Sequence, residues 1–150
     1  HDLDYVIIRP SNPYGRTVEN NKNQGIIDIF LKKVANNEEL EIWGDGKNVR
    51  DYIYIDDLTD LIVKVIEKKI KNEIINVGTG AGSSINEILE IIKKTTGKKI
   101  KVNYLKHRNF DVKYNVLDIK KAKRLAGWKP LIGLNEGIKK IYEQNINFTD

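Results

Sequence analysis

The sequence has no cysteine and no methionine among its 150 residues, and only three prolines. Without cysteine there can be no disulfide framework, no thiolate nucleophile and no cysteine-based zinc site. No apolar run approaches the roughly 18 residues needed to span a membrane, and the start does not resemble a signal peptide, so we expect a soluble, cytoplasmic protein with no membrane partner. Because methionine is absent and residue 2 leads almost directly into an apolar stretch, we interpret the chain as a piece of a longer protein.

Arginine is also scarce. The chain carries 26 basic and 21 acidic residues, a formal net charge of +5, and only five of the basic residues are arginines. Several lysine pairs, such as Lys93-Lys94, close predicted helices, where cations complement the helix dipole and solvate an exposed face. A nucleic-acid surface is usually rich in arginine, has aromatic residues interleaved with its charges or forms a recognisable module, and the sequence shows none of these features. We therefore expect no nucleic-acid partner.

The composition predicts one α/β domain with a hydrophobic core of ordinary size, since 40% of the residues are hydrophobic. Strands and helices alternate along the chain, which is typical of α/β proteins. A capping box, Ser84 with Glu87, begins one helix, and Gly97 ends it. Strands are predicted at 5–9, 40–43, 51–55, 74–77 and 101–105 with an extended piece at 113–117, and helices at 26–37, 56–66, 84–96, 118–127 and 134–145.

Two motifs in this framework have competing interpretations. The glycine loop at 78–83 follows a strand, where a dinucleotide fingerprint would lie, but its sixth position is Ser83 rather than glycine, so a tight turn explains it better. The string DDLTD at 56–60 resembles a magnesium-binding DDxxD motif. Carboxylates at a helix start also satisfy free N–H groups and the helix dipole without a metal, and we favour that interpretation.

The sequence contains no self-sufficient active site. Its two histidines are His1, at the start, and His107, so a Ser-His-Asp triad cannot be assembled. None of the seven tyrosines has a lysine four residues later, the spacing of a Tyr/Lys proton-transfer pair on a helix. We therefore assign no catalytic residue and expect the chain by itself to be inactive.

A more specific signal is an ordered series of short motifs. These are RPSNPYG at 9–15, EIWGDG at 41–46, RDYIYIDD at 50–57, NVGTG at 76–80, the pair Arg108 and Asp111, and Asp118 followed by LAGWKP at 125–130. In this order the motifs resemble the C-terminal half of the extended short-chain dehydrogenase/reductases. Within that group, the chain resembles the NAD-dependent nucleotide-sugar epimerase/dehydratase family over residues 3–142.

The resemblance implies a two-part protein of which residues 1–150 form a single fragment. The family's N-terminal half, with the GxxGxxG loop for NAD and the Tyr-x-x-x-Lys pair, would be absent. Residues 5–9 and 74–77 would be late strands of a Rossmann-like doubly wound sheet. The rest would form the small C-terminal substrate-binding lobe.

The resemblance also implies a set of binding residues. Arg50 and Arg108 fall at diphosphate positions, with surface ion pairs as the alternative. Asn12 and Gln24 match amides that contact the diphosphate or sugar, with simple turn and loop roles as the alternative. The further positions are Trp43 beside the base (alternatively a core tryptophan), Asp111 at the ribose, and Pro10, Ser11 and Pro13 near the nicotinamide of NAD.

The expected function is binding of the nucleotide sugar in an NAD-dependent UDP-hexose 4-epimerase. A nucleotide-sugar 4,6-dehydratase or a keto-sugar reductase is the nearest alternative. From other classes, the chain could be a nucleotide- or nucleic-acid-binding module without catalysis, or a structural fragment. We expect the parent protein to be a homodimer, and the fragment to self-associate through an exposed sheet edge.

Overall fold

A computed structural model describes residues 3–15, 25–107 and 111–144 of the chain. Its strands are β1 (Val6–Pro10), β2 (Asn12–Tyr14), β3 (Leu40–Trp43), β4 (Val49–Tyr54), β5 (Glu73–Val77), β6 (Gly82–Ser84), β7 (Val102–Leu105) and β8 (Tyr114–Asn115). Its helices are α1 (Ile26–Ala35), α2 (Ile55–Glu67), α3 (Ile85–Thr96), α4 (Lys120–Ala126) and α5 (Leu134–Gln144).

The strands pair into three small sheets, and most of the pairs are parallel. β1 and β5 form a parallel pair that runs from Val6 opposite Glu73 to Pro10 opposite Val77. β3 pairs with β7 in the same sense. β4 is the centre of the third sheet, with parallel partners β2 and β8 and the antiparallel partner β6. This arrangement confirms the predicted mixed α/β fold with Rossmann-like parallel strands.

Two buried clusters hold these layers together. The first joins α1, α3 and α5 to β3, and includes Leu31, Leu40 and Ile92 at zero exposure. The second packs α2 and α4 against β5, around the buried Trp128. The indole N–H of Trp128 donates to the carbonyl of Asp57 at 3.1 Å, which ties the segment after α4 to the start of α2.

Local signals in the sequence located the helices well. Ser84 Oγ accepts the Glu87 N–H at 3.2 Å, and the Glu87 carboxylate accepts the Ser84 N–H at 2.6 Å, so the capping box is confirmed. Gly97 ends α3 in the left-handed conformation, with φ of 66°, which glycine adopts without a Cβ clash. Hydrophobic spacing likewise predicted α2 and α5 to within a few residues.

The predictions were wrong where structure depends on distant pairing. Residues 12–14, for which no strand was predicted, form β2, and residues 82–84, predicted as the end of the glycine loop and the start of a helix, form β6. Both strands have three residues, too few for a hydrophobic alternation to be recognised. α4 begins at Lys120 rather than Asp118, although the Asp118 carboxylate still accepts the Lys120 N–H at 2.8 Å.

Candidate functional site

A cleft of about 700 Å³ opens where β2, β4 and the start of α1 meet. Arg50 is the only cation among its described lining residues, and Asp28 and Asp111 are its carboxylates. Apolar and neutral polar side chains supply the other walls, a combination typical of small-molecule sites. The lining residues are Ser11, Asn12, Pro13, Tyr14, Gly25, Ile26, Ile27, Asp28, Asn48, Arg50, Tyr52, Ile55, Ile85 and Asp111.

The cleft brings together residues predicted from distant parts of the sequence. Asn12 and Arg50 lie on neighbouring parallel strands, and Asp111 reaches the same cleft from the segment before β8. Ser11 and Pro13 line it as well. The spacing of these residues along the sequence does not predict that they lie in one cleft. Their convergence is therefore an independent result of the fold.

Asn12 is a structural connector as well as a lining residue. Its side-chain Nδ2 donates to the backbone carbonyl of Asp51 at 2.7 Å, in addition to the backbone pairing of Asn12 with Tyr52. A simple turn role for Asn12 is therefore wrong, because the residue belongs to a strand and its amide bonds across to β4. This bond fixes the amide orientation within the cleft.

Arg50 points into the cleft from β4 and is half-buried. Its Nη1 donates to the carbonyl of Val49 at 2.8 Å, which directs the guanidinium along the strand. No ion pair of Arg50 is found among the described residues. The guanidinium can still present its remaining N–H groups to an anion, for which its forked geometry is well suited.

Asp51, next to Arg50, is a buried junction that the sequence analysis did not assign to the site. Its side chain has zero exposure. Oδ1 accepts the N–H and the hydroxyl of Thr79 at 2.8 and 2.7 Å, and Oδ2 accepts the N–H groups of Gly80 and Leu117 at 3.1 and 3.3 Å. One carboxylate thus fixes β4 to the loop after β5 and to the segment after β8. The one sequence signal that could have revealed it is an acidic residue at the start of the apolar run at 52–55.

The glycine loop at 78–83 donates hydrogen bonds to the Asp51 carboxylate. The N–H groups of Thr79 and Gly80 are directed at Asp51, and a Cβ at Gly78 would lie 2.3 Å from Asp51 Oδ2. Glycine at 78 is required because of this close approach. The tight-turn interpretation of the loop agrees with this geometry, since two of its N–H groups are already bonded within the protein.

Asp28 is a second carboxylate that the sequence analysis missed. It lies in the first turn of α1, half-buried in the cleft, and accepts the N–H of Gly15. Burial raises the pKa of Asp28 from 3.8 to about 6, with the hydrogen bonds from its own N–H and that of Gly15 acting in the opposite direction. In the sequence, Asp28 is indistinguishable from an acidic residue that complements a helix dipole.

Two tyrosines pack together at the ends of β2 and β4, and of these Tyr14 lines the cleft. Tyr14 and Tyr54 pack edge to face with ring centroids 5.5 Å apart. Burial raises the pKa of both phenols, and the neighbouring phenol and carboxylates raise that of Tyr14 further. The Tyr14 hydroxyl is buried without a hydrogen-bond partner in the described part of the chain, as is the Ser11 hydroxyl. Neither tyrosine is therefore ionised near neutral pH.

Several predicted site residues are not among the described lining of the cleft. Pro10 ends β1 and lies outside it. Trp43 is 46% exposed at the end of β3, so the alternative of a buried core tryptophan is wrong, while its contact with a base stays a prediction. Gln24 and Arg108 fall outside the described residues.

The acidic string at the start of α2 has a different role from the one expected. Asp57 is 4% exposed, and its carboxylate accepts the N–H groups of Leu131 and Ile132 at 3.0 and 2.9 Å. It therefore bonds to the segment before α5 and not to free N–H groups of the helix start, while Asp56 and Asp57 do lie in the first turn of α2, where acidic residues complement the helix dipole. Over the ranges that the structure covers, no three histidine, cysteine or acidic side chains lie together as a metal site.

A sequence profile of the NAD dependent epimerase/dehydratase family matches residues 1–78. A putative UDP-glucose 4-epimerase of Methanocaldococcus jannaschii is 40% identical over 141 residues, which are 94% of this chain and 45% of that protein. The chain spans less than half the length of this relative. Over the described ranges, no helix is long and apolar enough to cross a bilayer.

Solved structures agree with the sequence match. The UDP-glucose 4-epimerase of Thermotoga maritima, crystallised with UDP-glucose, superposes with a TM-score of 0.87 at 35% identity, over 96% of this chain and 47% of that one. The UDP-glucuronic acid 4-epimerase of Bacillus cereus, in complex with UDP-glucuronic acid and NAD, superposes with a TM-score of 0.82 at 31% identity, over 92% of this chain and 44% of that one. The fold of this chain is the Rossmann-like fold of these structural neighbours. The chain belongs to the NAD dependent epimerase/dehydratase family.

Proposed function

We propose that this chain is the substrate-binding half of an NAD-dependent enzyme that epimerises C4 of a UDP-hexose. The observation that carries the proposal is the convergence of Asn12, Arg50 and Asp111 in one cleft. A nucleoside diphosphate sugar needs a cation for its phosphates and neutral or acidic acceptors for its hydroxyls. These three side chains supply that chemistry.

Arg50 is the diphosphate-binding residue in this proposal. A charge-assisted contact between an arginine and a phosphate contributes about 1.5–3 kcal/mol, which lysine matches less well because it lacks the planar fork. Since the described lining holds two carboxylates and one arginine, a second cation is needed to balance a diphosphate, and we assign Arg108 to that role. Asp111 would accept from the ribose hydroxyls, Asn12 and Gln24 would contact the diphosphate or sugar, and Trp43 would lie beside the base.

NAD would be held mainly by a part of the protein outside this chain. Within the chain, Ser11 fits a cofactor contact, because its buried hydroxyl has no partner among the described residues and lines the cleft at the end of β1. Pro10 and Pro13 flank it. When bound, NAD supplies a reversible hydride acceptor for C4 of the sugar. The residues of this chain would orient the sugar and exclude water, and the acid/base group would come from the other part.

The open face of the β1–β5 sheet supports the two-part arrangement. Ile7 and Ile74 are register partners on this face and are 45% and 38% exposed. Parallel sheets are normally covered on both faces and extended by further strands. We assign the cover of this face to the remaining half of the protein, and we extend the self-association expected at the sheet edge to this exposed face of the isolated chain.

Titration calorimetry with UDP, TDP and GDP tests the proposal. The chain is expected to bind UDP in preference to the other two, and Arg50→Ala is expected to weaken UDP binding by about 10- to 100-fold, because 1.4 kcal/mol is tenfold in affinity. Arg124→Ala on α4 is the matched control, since that arginine does not line the cleft. Arg108→Ala should act as Arg50→Ala does.

Two results would count against the proposal. If a folded chain and the full-length protein both fail to bind UDP, the cleft is not a nucleotide site. If instead the chain binds oligonucleotides with an affinity that falls steeply with salt, its lysines form a nucleic-acid surface. With UDP binding established, assays of the full-length protein separate an epimerase from a dehydratase or reductase by the sugar product formed.

A further inference from the structure

The strand registers give the order of charged groups along the cleft. β2 and β4 run parallel with Asn12 opposite Tyr52 and Tyr14 opposite Tyr54. Arg50 lies two residues before the level of Asn12, and Gly15 follows Tyr14. At about 3.3 Å per residue, the levels of Arg50 and Gly15 are about 16 Å apart.

Asp111 lies toward the opposite end. Two residues after it, the Lys113 carbonyl accepts the N–H of Val49 at 2.8 Å, and β8 then continues parallel to β4. This register places Asp111 on the same side of Arg50 as Val49. Asp28, bonded to Gly15, is on the other side. With the ribose at Asp111 and the diphosphate at Arg50, the hexose extends toward Asp28.

The Asp28 carboxylate is positioned by a backbone hydrogen bond and lies close to Gly25. It accepts the Gly15 N–H, and Oδ2 would lie 3.1 Å from a Cβ placed at Gly25, which has φ of 90°. None of the groups that set its pKa is a cation, and its pKa is raised by burial to about 6. At neutral pH this end of the cleft therefore carries a negative charge, and Arg50, the one cation among the described lining residues, lies farther along the strands.

We propose that Asp28 is a specificity-determining residue that selects a neutral UDP-hexose against a UDP-hexuronate. This inference rests on the proposed function. A hexose hydroxyl can donate to the Asp28 carboxylate, whereas the carboxylate of a hexuronate meets a like charge in a partly dehydrated cleft, where charge repulsion is stronger than in water. Epimerases for both kinds of sugar occur among the structural relatives.

The test compares dissociation constants of UDP-glucose, UDP-glucuronate and UDP for the chain and for Asp28→Asn. The variant keeps an oxygen that can accept the Gly15 N–H but removes the charge. We expect the preference for UDP-glucose over UDP-glucuronate to fall by about tenfold, with UDP affinity unchanged. Asp28→Ser, which also retains an acceptor, should give the same shift, and Asp60→Asn on α2, outside the cleft, should leave the preference unchanged.

The outcomes separate this inference from the proposed function. If neither the folded chain nor the full-length protein binds UDP, both fail. If UDP binds and the sugar preference of the Asp28 variants equals that of the unchanged chain, the inference alone is overturned. It is also overturned if the unchanged chain prefers UDP-glucuronate.

Discussion

Removing the Asp51 carboxylate should cost more stability than any conservative surface change. Asp51→Ala removes a fully buried acceptor from three partly buried backbone N–H groups and from the Thr79 hydroxyl, which keeps only the Ala81 carbonyl as acceptor. Each unsatisfied buried donor costs about 1–3 kcal/mol, and partial relaxation with water entry reduces the sum. We expect a loss of about 3–5 kcal/mol, comparable to breaking a buried charged network.

Asp51→Asn should be less severe but still measurable. Its Oδ1 can continue to accept from Thr79, but its NH₂ group then faces the N–H groups of Gly80 and Leu117, so donor meets donor. A loss of about 2–3 kcal/mol is expected from two unsatisfied groups. Asp60→Asn is the matched control, since it breaks only an exposed pair with Lys64 and should cost under about 0.5 kcal/mol.

Urea unfolding followed by tryptophan fluorescence measures these differences, because Trp128 is 1% exposed and reports on the core. For a chain of this length, a loss of 3 kcal/mol should also lower the midpoint of thermal unfolding by roughly 10 °C. The reasoning is refuted if Asp51→Ala loses less than about 1 kcal/mol, or if Asp51→Asn cannot be distinguished from Asp60→Asn.

Three further predictions follow from buried or exposed groups. Tyr14→Phe should leave stability unchanged or raise it by up to about 1 kcal/mol, because the hydroxyl it removes is buried without a described partner; a loss above that in urea unfolding would show that the hydroxyl is bonded. The free energy of unfolding of Asp28→Asn should rise by about 1 kcal/mol relative to that of the unchanged chain between pH 4 and pH 7. In the unchanged chain, protonated Asp28 stabilises the folded state fully below pH 3.8, and this contribution is lost as the pH passes the raised pKa of Asp28, about 6. Solvent screening limits the size of the effect. Equal pH profiles of unfolding would contradict this. Ile7→Lys should reduce self-association of the isolated chain in sedimentation velocity, while Leu131→Lys, also at an exposed residue, should not.

How far the sequence predicts this molecule depends on whether a signal is local. The capping box of Ser84 and Glu87 and the stop at Gly97 each involve neighbours in sequence, and the structure confirms them. β2 and β6 exist only because β4 lies between them, so no window around either strand contains the information. The binding residues were accessible through family resemblance, which carries over long-range contacts that periodicity cannot supply.

Asp51 and Asp57 show what the sequence could not provide. Both look like ordinary polar positions, at a strand and at a helix start, yet both are buried acceptors for backbone N–H groups 28 to 75 residues away. Recognising a buried carboxylate requires knowing its donors, and these are placed by tertiary structure. The same reasoning applies to Asp28, whose donor Gly15 follows β2 rather than lying in the helix of Asp28.

Asp51 and Asp28 differ in what they contribute: Asp51 stabilises the fold, whereas Asp28 belongs to the candidate site. Asp51 is fully buried but satisfied by four donors, so its charge stabilises the junction that positions Arg50. Asp28 is less buried, yet burial outweighs its hydrogen bonds and raises its pKa, so the ionised form opposes folding at neutral pH. A carboxylate that costs stability and lines a cleft is typical of a functional group. The two aspartates should therefore respond oppositely to replacement by asparagine at pH 7: Asp51→Asn loses stability, whereas Asp28→Asn gains stability and changes which sugar the cleft accepts.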